Sequence, residues 1–456
     1  MRPATVLLCS ALALWATACS RSRTRPRNVV LISLDTVRAD RMSLFGGVRR
    51  TTPAIEALAR DGVTFDRAYS AAPWTLPAHA AMLTGRYPSS LSEGDDAPLY
   101  RLAPMLSTLL RERGYDTAAV TGGGFVDAGH GANVGFDTYH EGDVDLALEW
   151  LRARQGATPF FLFFHTYIAH LPYRDFRYVE GVDGGQLTVL RDGSPKERLE
   201  AYYALTCGLG TYTDAEKQFL LAAYDGGVAA ADELVGRLVA ALRDRQLLAD
   251  TIVIVTSDHG EEFWDHAGRA AYHGHTLYNE LLHVPLVWYD PSLPRRGVRV
   301  DAPVSLVDIV PTVLARLALP SAADVDGVDL GALLEGSADS AERALFAEAV
   351  RHGPPRHGVI SAAATLIVNG PAEDQRREGR TCPVPVAAPR ELYLASDRAE
   401  RVDRFHAEPV LAERLDAQLR EASRAHALAA QGAPKAPPAT IDDATRRRLG
   451  ELGYAE

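Results

Sequence analysis

Two apolar runs rich in β-branched residues dominate the hydrophobic pattern, and a carboxylate follows each of them at once. The run Asn28–Leu34 is followed by Asp35, and the run 251–257 is followed by Asp258. Continuous apolar runs of this length are typical of strands buried on both faces of a parallel sheet. Between them, strand-like and helix-like segments alternate. This alternation predicts an α/β fold with a doubly wound, mostly parallel sheet sandwiched by helices.

The remaining elements are predicted from the spacing of apolar residues that is typical of strands and of helices. Further strands are predicted at 116–121, 160–164 and 284–288, and helices at 53–61, after Thr75, and at 104–113, 146–154, 219–247 and 306–317. Residues 174–214 show no period and are predicted to form an insertion that covers a site as a lid. After Gly336, short antiparallel strands and an Ala- and Leu-rich helix at 409–431 predict a small α+β subdomain. A Pro-rich break at 433–438 and a short closing helix at 441–454 follow.

The first residues have the pattern of an export signal. Arg2 precedes an apolar run at 6–15, and the small residues 16–18 precede Cys19. The run is too short for a spanning helix, and this ending resembles a bacterial lipoprotein processing site. We therefore expect an exported periplasmic or cell-envelope lipoprotein of a bacterium, held to the membrane by a lipid at Cys19.

Two cysteines remain after such processing, Cys207 and Cys382. Outside the cytoplasm they form either one disulfide or two buried thiols, and the sequence leaves both open.

Composition narrows the class of protein. The chain has 456 residues, 47% of them hydrophobic, which is enough for one large α/β domain and a smaller unit. The formal net charge of −11 provides no basic footprint, so nucleic acid is not expected as a partner.

Thr75 is the central candidate for chemistry. It precedes Pro77 and a helix-forming run that ends at Gly85, so its hydroxyl is expected at a helix N-terminus, where anions are favoured. An ordinary helix cap would show the same local pattern. Asp35, Asp258 and His259, however, follow strands, and ligands bind at the carboxyl ends of strands in such sheets. Two carboxylates and an imidazole there predict a divalent-metal site; the alternative is a pair of aspartates that cap turns.

The order of these motifs resembles a sulfatase-type member of the alkaline phosphatase superfamily over about residues 28–336. The matching segments, in family order, are 35–40, 53–59, 72–86, Gly114-Tyr115, 170–173, 257–260, Val284-Pro285 and 306–312. The resemblance implies an alkaline phosphatase-like fold and a hydrolase of sulfuric or phosphoric esters. It also implies a divalent metal ion, Ca, Mn, Zn or Mg, held by Asp35, Thr75, Asp258 and His259.

Four positions depart from the family pattern. Thr75 stands where family members carry the Cys or Ser that becomes formylglycine, and a threonine cannot become an aldehyde. His79 occupies the family's Arg position, Thr36 replaces the second Asp, and 122–125 replaces a Gly-Lys-Trp-His run. A threonine nucleophile is similar to the phosphodiesterase and phosphonate-hydrolase branches, so the resemblance implies a Thr-nucleophile variant.

Histidines supply the other candidate catalytic groups. The resemblance places His170 on the substrate side, as a proton donor or hydrogen-bond partner of the ester; a histidine packed in a turn is the alternative. His273 and His275 lie where sulfatases place a Lys, and the register does not decide between them. Either could instead bind a second metal. His79 is expected near the same anion site, and His165 is interpreted as structural.

These observations give four expected parts: a signal peptide at 1–19, a tether at 20–27, a catalytic domain at 28–336 with the insertion 174–214, and a C-terminal subdomain and helical tail at 337–456. The predicted function is hydrolysis of sulfate or phosphate/phosphonate esters of small molecules or glycans through a covalent Thr75 intermediate. The alternatives are a phosphoryl- or phosphoethanolamine-type transferase and a non-catalytic lipoprotein that binds anionic glycans.

Overall fold

A computed structural model describes residues 27–92, 99–266, 268–337, 343–371, 387–432 and 441–452. The strands are β1 Asn28–Leu34, β2 Val63–Tyr69, β3 Asp116–Thr121, β4 Thr138–Glu141, β5 Phe160–Thr166, β6 Thr251–Thr256, β7 Glu262–Phe263, β8 Ala270–Tyr272, β9 His283–Tyr289, β10 Val298–Val300, β11 Val304–Ser305, β12 Leu345–Ala347, β13 Arg356–Ile360, β14 Ala364–Asn369 and β15 Arg390–Leu394. The α-helices are α1 Pro53–Arg60, α2 Thr75–Thr84, α3 Pro88–Leu91, α4 Leu106–Arg111, α5 Val144–Ala153, α6 Val189–Asp192, α7 Pro195–Thr206, α8 Asp214–Asp244, α9 Asn279–Leu282, α10 Ile309–Arg316, α11 Gly331–Leu334, α12 Pro409–Gln431 and α13 Asp443–Glu451.

A nine-stranded sheet forms the centre of the molecule. Its order is β10-β2-β9-β6-β1-β5-β3-β4, with β11 also paired to β2. β9 runs antiparallel to both of its neighbours, whereas the other pairs of this sheet are parallel. The predicted mostly parallel α/β sheet is therefore confirmed.

The sheet has a hydrophobic core on each face, and β1 contributes to both. Val30 and Ile32 pack with residues of α1, α5 and α8 on one face. Val29 and Leu31 pack with residues of α2, α4 and α10 on the other. Successive side chains of a strand point to opposite faces, so an uninterrupted apolar run is what a sheet covered on both sides requires. Each such buried side chain contributes roughly 1.5–3 kcal/mol.

Residues 174–214 are more regular than the sequence predicted. They contain α6 and α7, and α7 begins with a capping box in which Ser194 and Glu197 bond reciprocally to each other's backbone N–H. The apolar residues of α7 are spread around the helix: Leu205 is buried, but Leu199 is 62% exposed. Because the apolar residues of α7 do not share one side of the helix, the sequence shows no helical period there.

The chain after β11 builds a second, antiparallel sheet in the order β12-β13-β14-β15. One face of this sheet is covered by α12, through Leu415 and Leu419. The other face packs Ile360 and Ile367 against Leu277 of the central domain. The predicted small C-terminal sheet subdomain is confirmed, and α13 then returns to the central core.

Several predictions fall on residues outside the described ranges, including the signal segment, Cys19, the Pro-rich break and Cys382. Cys207 is buried and disulfide-bonded. None of the helices in the described ranges is both long and apolar enough to cross a membrane.

Candidate metal and ester site

The hydroxyl of Thr75 lies at the start of α2. Trp74 before it is extended, with φ −157° and ψ 164°, and Gly85 ends the helix in the left-handed conformation. Every residue of α2 is buried, so this helix passes through the core rather than along the surface. The N-terminus of α2 therefore places Thr75, with the helix's unpaired N–H groups, at the carboxyl edge of the sheet.

Two carboxylates meet Thr75 at this edge. β1 and β6 are parallel neighbours, with Ser33 opposite Thr256, so the residues that follow them emerge side by side. Candidate ligand atoms of Asp35, Asp258 and His259 all lie within 4.8 Å of one another. This is the single group of three or more such side chains in the described part of the chain. The sequence-predicted ligands are thus brought together.

The hydrogen bonds of His259 assign its tautomer. Its Nδ1 lies 2.8 Å from the carbonyl oxygen of Gly260, which can only accept, so Nδ1 carries the proton. Its Nε2 therefore presents a lone pair, 3.4 Å from Thr75 Oγ1 and 3.3 Å from Asp258 Oδ2. That is the form in which a histidine ligates a metal.

The two carboxylates are incompletely satisfied. Asp35 Oδ1 and Asp258 Oδ2 are buried and have no hydrogen-bond partner. Burial, and the charge of the neighbouring Asp258, raise the pKa of Asp35 well above its usual range. Orphaned buried oxygens of two adjacent carboxylates are costly, and a divalent cation between them would satisfy both. The donor set of carboxylate, imidazole and hydroxyl fits such an ion.

His165, interpreted from sequence as structural, orients Asp35. The backbone N–H of Gly122 donates to His165 Nδ1 at 3.2 Å, so the proton lies on Nε2, which donates to Asp35 Oδ2 at 3.1 Å. Burial lowers the pKa of His165 well below its usual range. A neutral imidazole that fixes a ligating carboxylate is a common outer partner of metal sites.

His79 connects the start of α2 to β1. Its Nδ1–H donates to the carbonyl oxygen of Thr75 at 2.9 Å, and its Nε2 accepts from the hydroxyl of Ser33 at 2.9 Å. Burial lowers its pKa, which keeps the ring neutral. Both ring nitrogens are engaged with protein groups, so the geometry suits positioning of Thr75 rather than contact with a substrate.

The two candidate histidines that follow the hairpin β7–β8 contact different partners. His273 Nδ1 lies 2.9 Å from Glu261 Oε1, and its ring centroid lies 4.4 Å from that of His259. His275 Nε2 lies 2.5 Å from Glu262 Oε2. Its ring lies 4.8 Å from that of Tyr272. His273 therefore faces the Thr75 group, whereas His275 belongs to a neighbouring pair. Neither joins a metal-ligand group among the described residues.

His170 lies beside His273. Its Nδ1–H donates to the carbonyl oxygen of Leu171 at 2.5 Å, and its ring centroid lies 5.2 Å from that of His273. Burial and the charge of His273 lower the pKa of His170 to about 4.

Glu261 was not identified from the sequence. Its side chain is fully buried, and burial raises its pKa to about 7. The signal that could have found it was two adjacent glutamates, Glu261 and Glu262, followed by two histidines one residue apart.

Comparison with known proteins is consistent with this geometry. The sulfatase family model matches residues 27–143 and 143–318. Mouse arylsulfatase K (Mus musculus) is 27% identical over 433 residues, covering 80% of this chain and 75% of that protein. The phosphonate monoester hydrolase of Agrobacterium radiobacter superposes with a TM-score of 0.68 at 21% identity, over 91% of this chain and all of that one. BT4656, solved with its substrate D-glucosamine-2-N,6-O-disulfate, gives a TM-score of 0.69 at 19% identity, over 88% and 98%.

The fold and these relatives define a hydrolase of sulfuric or phosphoric esters. The chain belongs to the sulfatase family of the alkaline phosphatase superfamily. Members of this family use a divalent metal ion, for which Asp35, Asp258 and His259 form a possible site.

Proposed function

We propose that the chain hydrolyses sulfate, phosphate or phosphonate esters in a metal-dependent reaction with Thr75 as nucleophile. The observation that carries this proposal is the position of Thr75 Oγ1. It lies 3.4 Å from the lone pair of His259 Nε2, beside the orphaned oxygens of Asp35 and Asp258. A bound dication there would lower the pKa of the hydroxyl and offset the charge of the ester oxygens.

The protein's own groups then have distinct tasks. Thr75 Oγ attacks the sulfur or phosphorus atom, forms the covalent ester, and displaces the leaving alcohol; water later cleaves the new bond. His79 holds the backbone of Thr75, and His165 holds Asp35, so the nucleophile and its anionic neighbours keep a fixed geometry. Attack by the Thr75 hydroxyl and later cleavage of the Thr75 ester by water both proceed without a formylglycine.

A cavity of about 810 Å³ has His170 in its lining, and we propose that it receives the leaving group. It opens between the N-terminus of α5, α8 and α13, and Arg174, Arg237 and Arg448 line it together with acidic residues. A mixed polar lining of this volume accommodates a small molecule or a glycan unit. Relatives that act on a disulfated glucosamine and on phosphonate monoesters support both phosphorus and sulfur esters as candidates.

The direct test is a panel of chromogenic sulfate, phosphate, phosphodiester and phosphonate esters, assayed with added Mn, Zn, Ca or Mg. We expect turnover of at least one class and its loss with a chelator. Failure of every ester with every metal would overturn the proposed activity.

We assign delivery of the leaving-group proton to the pair of His273 and Glu261, joined at 2.9 Å. Burial lowers the pKa of His273 well below its usual range and raises the pKa of Glu261 to about 7, so a neutral His273 gives its Nε2 proton to the leaving oxygen and takes one from the Glu261 carboxyl at Nδ1. Replacing His273 with Gln should lower kcat by about 100-fold for alkyl esters, because a poor leaving group needs a proton. It should have little effect on a nitrophenyl ester, whose leaving group departs without one. Rates across a series of leaving groups give the measurement.

His275→Gln is the matched comparison, because His275 has the same chemistry and the same kind of Glu partner. A steeper leaving-group dependence in His275→Gln than in His273→Gln would transfer the role to His275. Equal dependence in both variants and the wild type would remove it from either.

We further propose that the mature protein is exported and anchored through a lipid at Cys19, as the small residues before that cysteine indicate. Mass spectrometry of the purified N-terminal peptide should show a diacylglyceryl cysteine in a bacterial host. Cys19→Ser should release the protein from the membrane fraction. An unmodified N-terminus at another residue would contradict this proposal.

A further inference from the structure

The helix α13 lies against the loop that follows β3. We call residues 122–124 of that loop the glycine loop, since all three are glycines. Arg448 Nε donates to the carbonyl oxygen of Gly122 at 2.9 Å. Leu449 of the same helix is buried in one core with Phe125, the residue after the glycine loop. The helix and the glycine loop are therefore in direct contact.

A second bond joins α13 to the far side of this loop. Thr445 Oγ1 donates to Asp127 Oδ2 at 2.5 Å, and both residues are buried. The other oxygen of Asp127, Oδ1, accepts the backbone N–H of His130 at 2.8 Å and lies 2.7 Å from His130 Nδ1. Because Arg448 and Thr445 are both engaged, α13 is fixed to the loop at two points.

The glycine loop depends on its neighbours for a fixed conformation. Gly123 and Gly124 have φ +74° and +67°, in the left-handed region that favours glycine. An added Cβ at Gly122 would lie 2.5 Å from Cδ2 of Tyr167, so a side chain there would collide with that ring. Consecutive glycines have a wide choice of backbone conformations, so contacts from outside the loop must select this one. The hydrogen bond from Arg448 is such a contact.

Gly122 is also the residue that orients His165. Its backbone N–H donates to His165 Nδ1 at 3.2 Å, and His165 Nε2–H donates to Asp35 Oδ2 at 3.1 Å. His165 and Asp35 are both fully buried, whereas the side chain of Arg448 is 32% exposed. Three hydrogen bonds in series therefore connect a residue at the surface with a buried candidate ligand of the metal.

The remaining ion pair of Arg448 does not tie it to the rest of the protein. Its Nη1 lies 3.1 Å from Glu451 Oε2, and Glu451 belongs to α13 itself. The carbonyl of Gly122, by contrast, lies 326 residues away along the chain. The bond to Gly122 is thus the polar contact through which Arg448 acts on the central domain.

We propose that Arg448 is a positioning residue of the metal site: it holds Gly122 so that His165 keeps Asp35 in its ligating orientation. This inference rests on the proposed metal-dependent hydrolysis and makes α13 part of the support of that site. Outer hydrogen-bond partners of metal ligands change metal affinity by about 10- to 100-fold. Arg448 acts through two intervening residues, so its effect is expected at the lower end.

The direct measurement is the imidazole N–H signal of His165, recorded by NMR with isotope-labelled histidine before any metal is added. A His165→Gln variant assigns the signal. Arg448→Met removes the donors of Arg448 and keeps an apolar stem. In that variant His165 Nε2–H should exchange with solvent about 10-fold faster, the effect of losing one charged hydrogen bond. Arg448→Lys keeps a charged donor and should lie between Arg448→Met and the wild type.

Calorimetric titration with Mn²⁺ alone tests the consequence at the metal site. Arg448→Met should weaken Mn²⁺ binding about 10-fold, because Asp35 loses its fixed orientation. Arg448→Lys should recover part of the affinity. Neither measurement requires turnover of an ester.

Arg446→Met is the matched control on the same helix. The side chain of Arg446 is 60% exposed and pairs with Asp443 of α13 at 3.0 Å. The substitution and the change in net charge are the same, so the His165 signal and the Mn²⁺ affinity should stay at wild-type values. Equal effects in the two variants would overturn the inference, because loss of charge on α13 would then explain them.

An unchanged His165 signal in Arg448→Met would overturn the inference, as would unchanged Mn²⁺ affinity when the wild type binds the ion. If the wild type binds no Mn²⁺ while its His165 signal depends on Arg448, the proposed metal site fails and the hold of Arg448 on His165 stands. Thermal unfolding checks that each variant is folded. If Arg448→Met does not fold, Arg448→Lys decides by the same two measurements.

Discussion

Thr75→Ala is expected to reduce turnover of the best ester substrate by about 10³- to 10⁶-fold, while the chain stays folded. In the proposed mechanism, the nucleophile and one predicted metal ligand are lost together with the hydroxyl. The loss should appear in kcat, because the phosphate- or sulfate-binding groups around the position remain. Steady-state rates on one substrate, with thermal unfolding as a check, give the measurement.

Thr75→Ser is the control for this loss. It keeps the hydroxyl and removes only the methyl group that restricts the side-chain rotamer, so a measurable fraction of activity should remain. Wild-type activity should also be independent of any formylglycine-generating enzyme in the expression host. Near-normal rates for Thr75→Ala would refute covalent catalysis and favour direct attack by water.

Asp258→Ala should abolish both metal binding and hydrolysis. Asp258 lies at the end of a central strand, and its side chain is fully buried beside His259. Elemental analysis of the purified variant should show that the metal content has fallen to background. Because the change also removes one of two adjacent buried carboxylates, we expect the fold to survive it.

Asp258→Asn provides the comparison of matched shape. Its amide can still accept from the backbone N–H of His259, which bonds Asp258 Oδ1 at 2.9 Å, but it lacks the charge. We expect metal affinity between those of the wild type and Asp258→Ala. Unchanged metal content in Asp258→Ala would show that Asp258 is not a ligand.

The convergence of Asp35 and Asp258 was predictable because it depends on sheet topology. A residue that directly follows a buried parallel strand must lie at the carboxyl edge, and β1 and β6 are both strongly apolar. The fold class followed from the same pattern. β2 was missed because Asp66 and Arg67 interrupt its apolar run where the strand bulges against β9.

The pairing of Glu261 with His273 was not predictable, because it depends on how the hairpin β7–β8 closes. The two strands are two and three residues long, and their register shifts between Glu262 and Phe263. No periodic pattern encodes such a closure.

The second sheet has a consequence for how such proteins diversify. The groups proposed to hold the metal and to attack the ester all belong to the central domain, whereas the second sheet folds around its own helix, α12. The residue that follows β12, Glu348, donates its backbone N–H to the carbonyl of Ala71, in the loop before Thr75. Changes confined to the smaller sheet can therefore alter the surroundings of the site and leave the proposed reaction machinery intact, and exchanging that sheet between relatives would be expected to transfer selectivity.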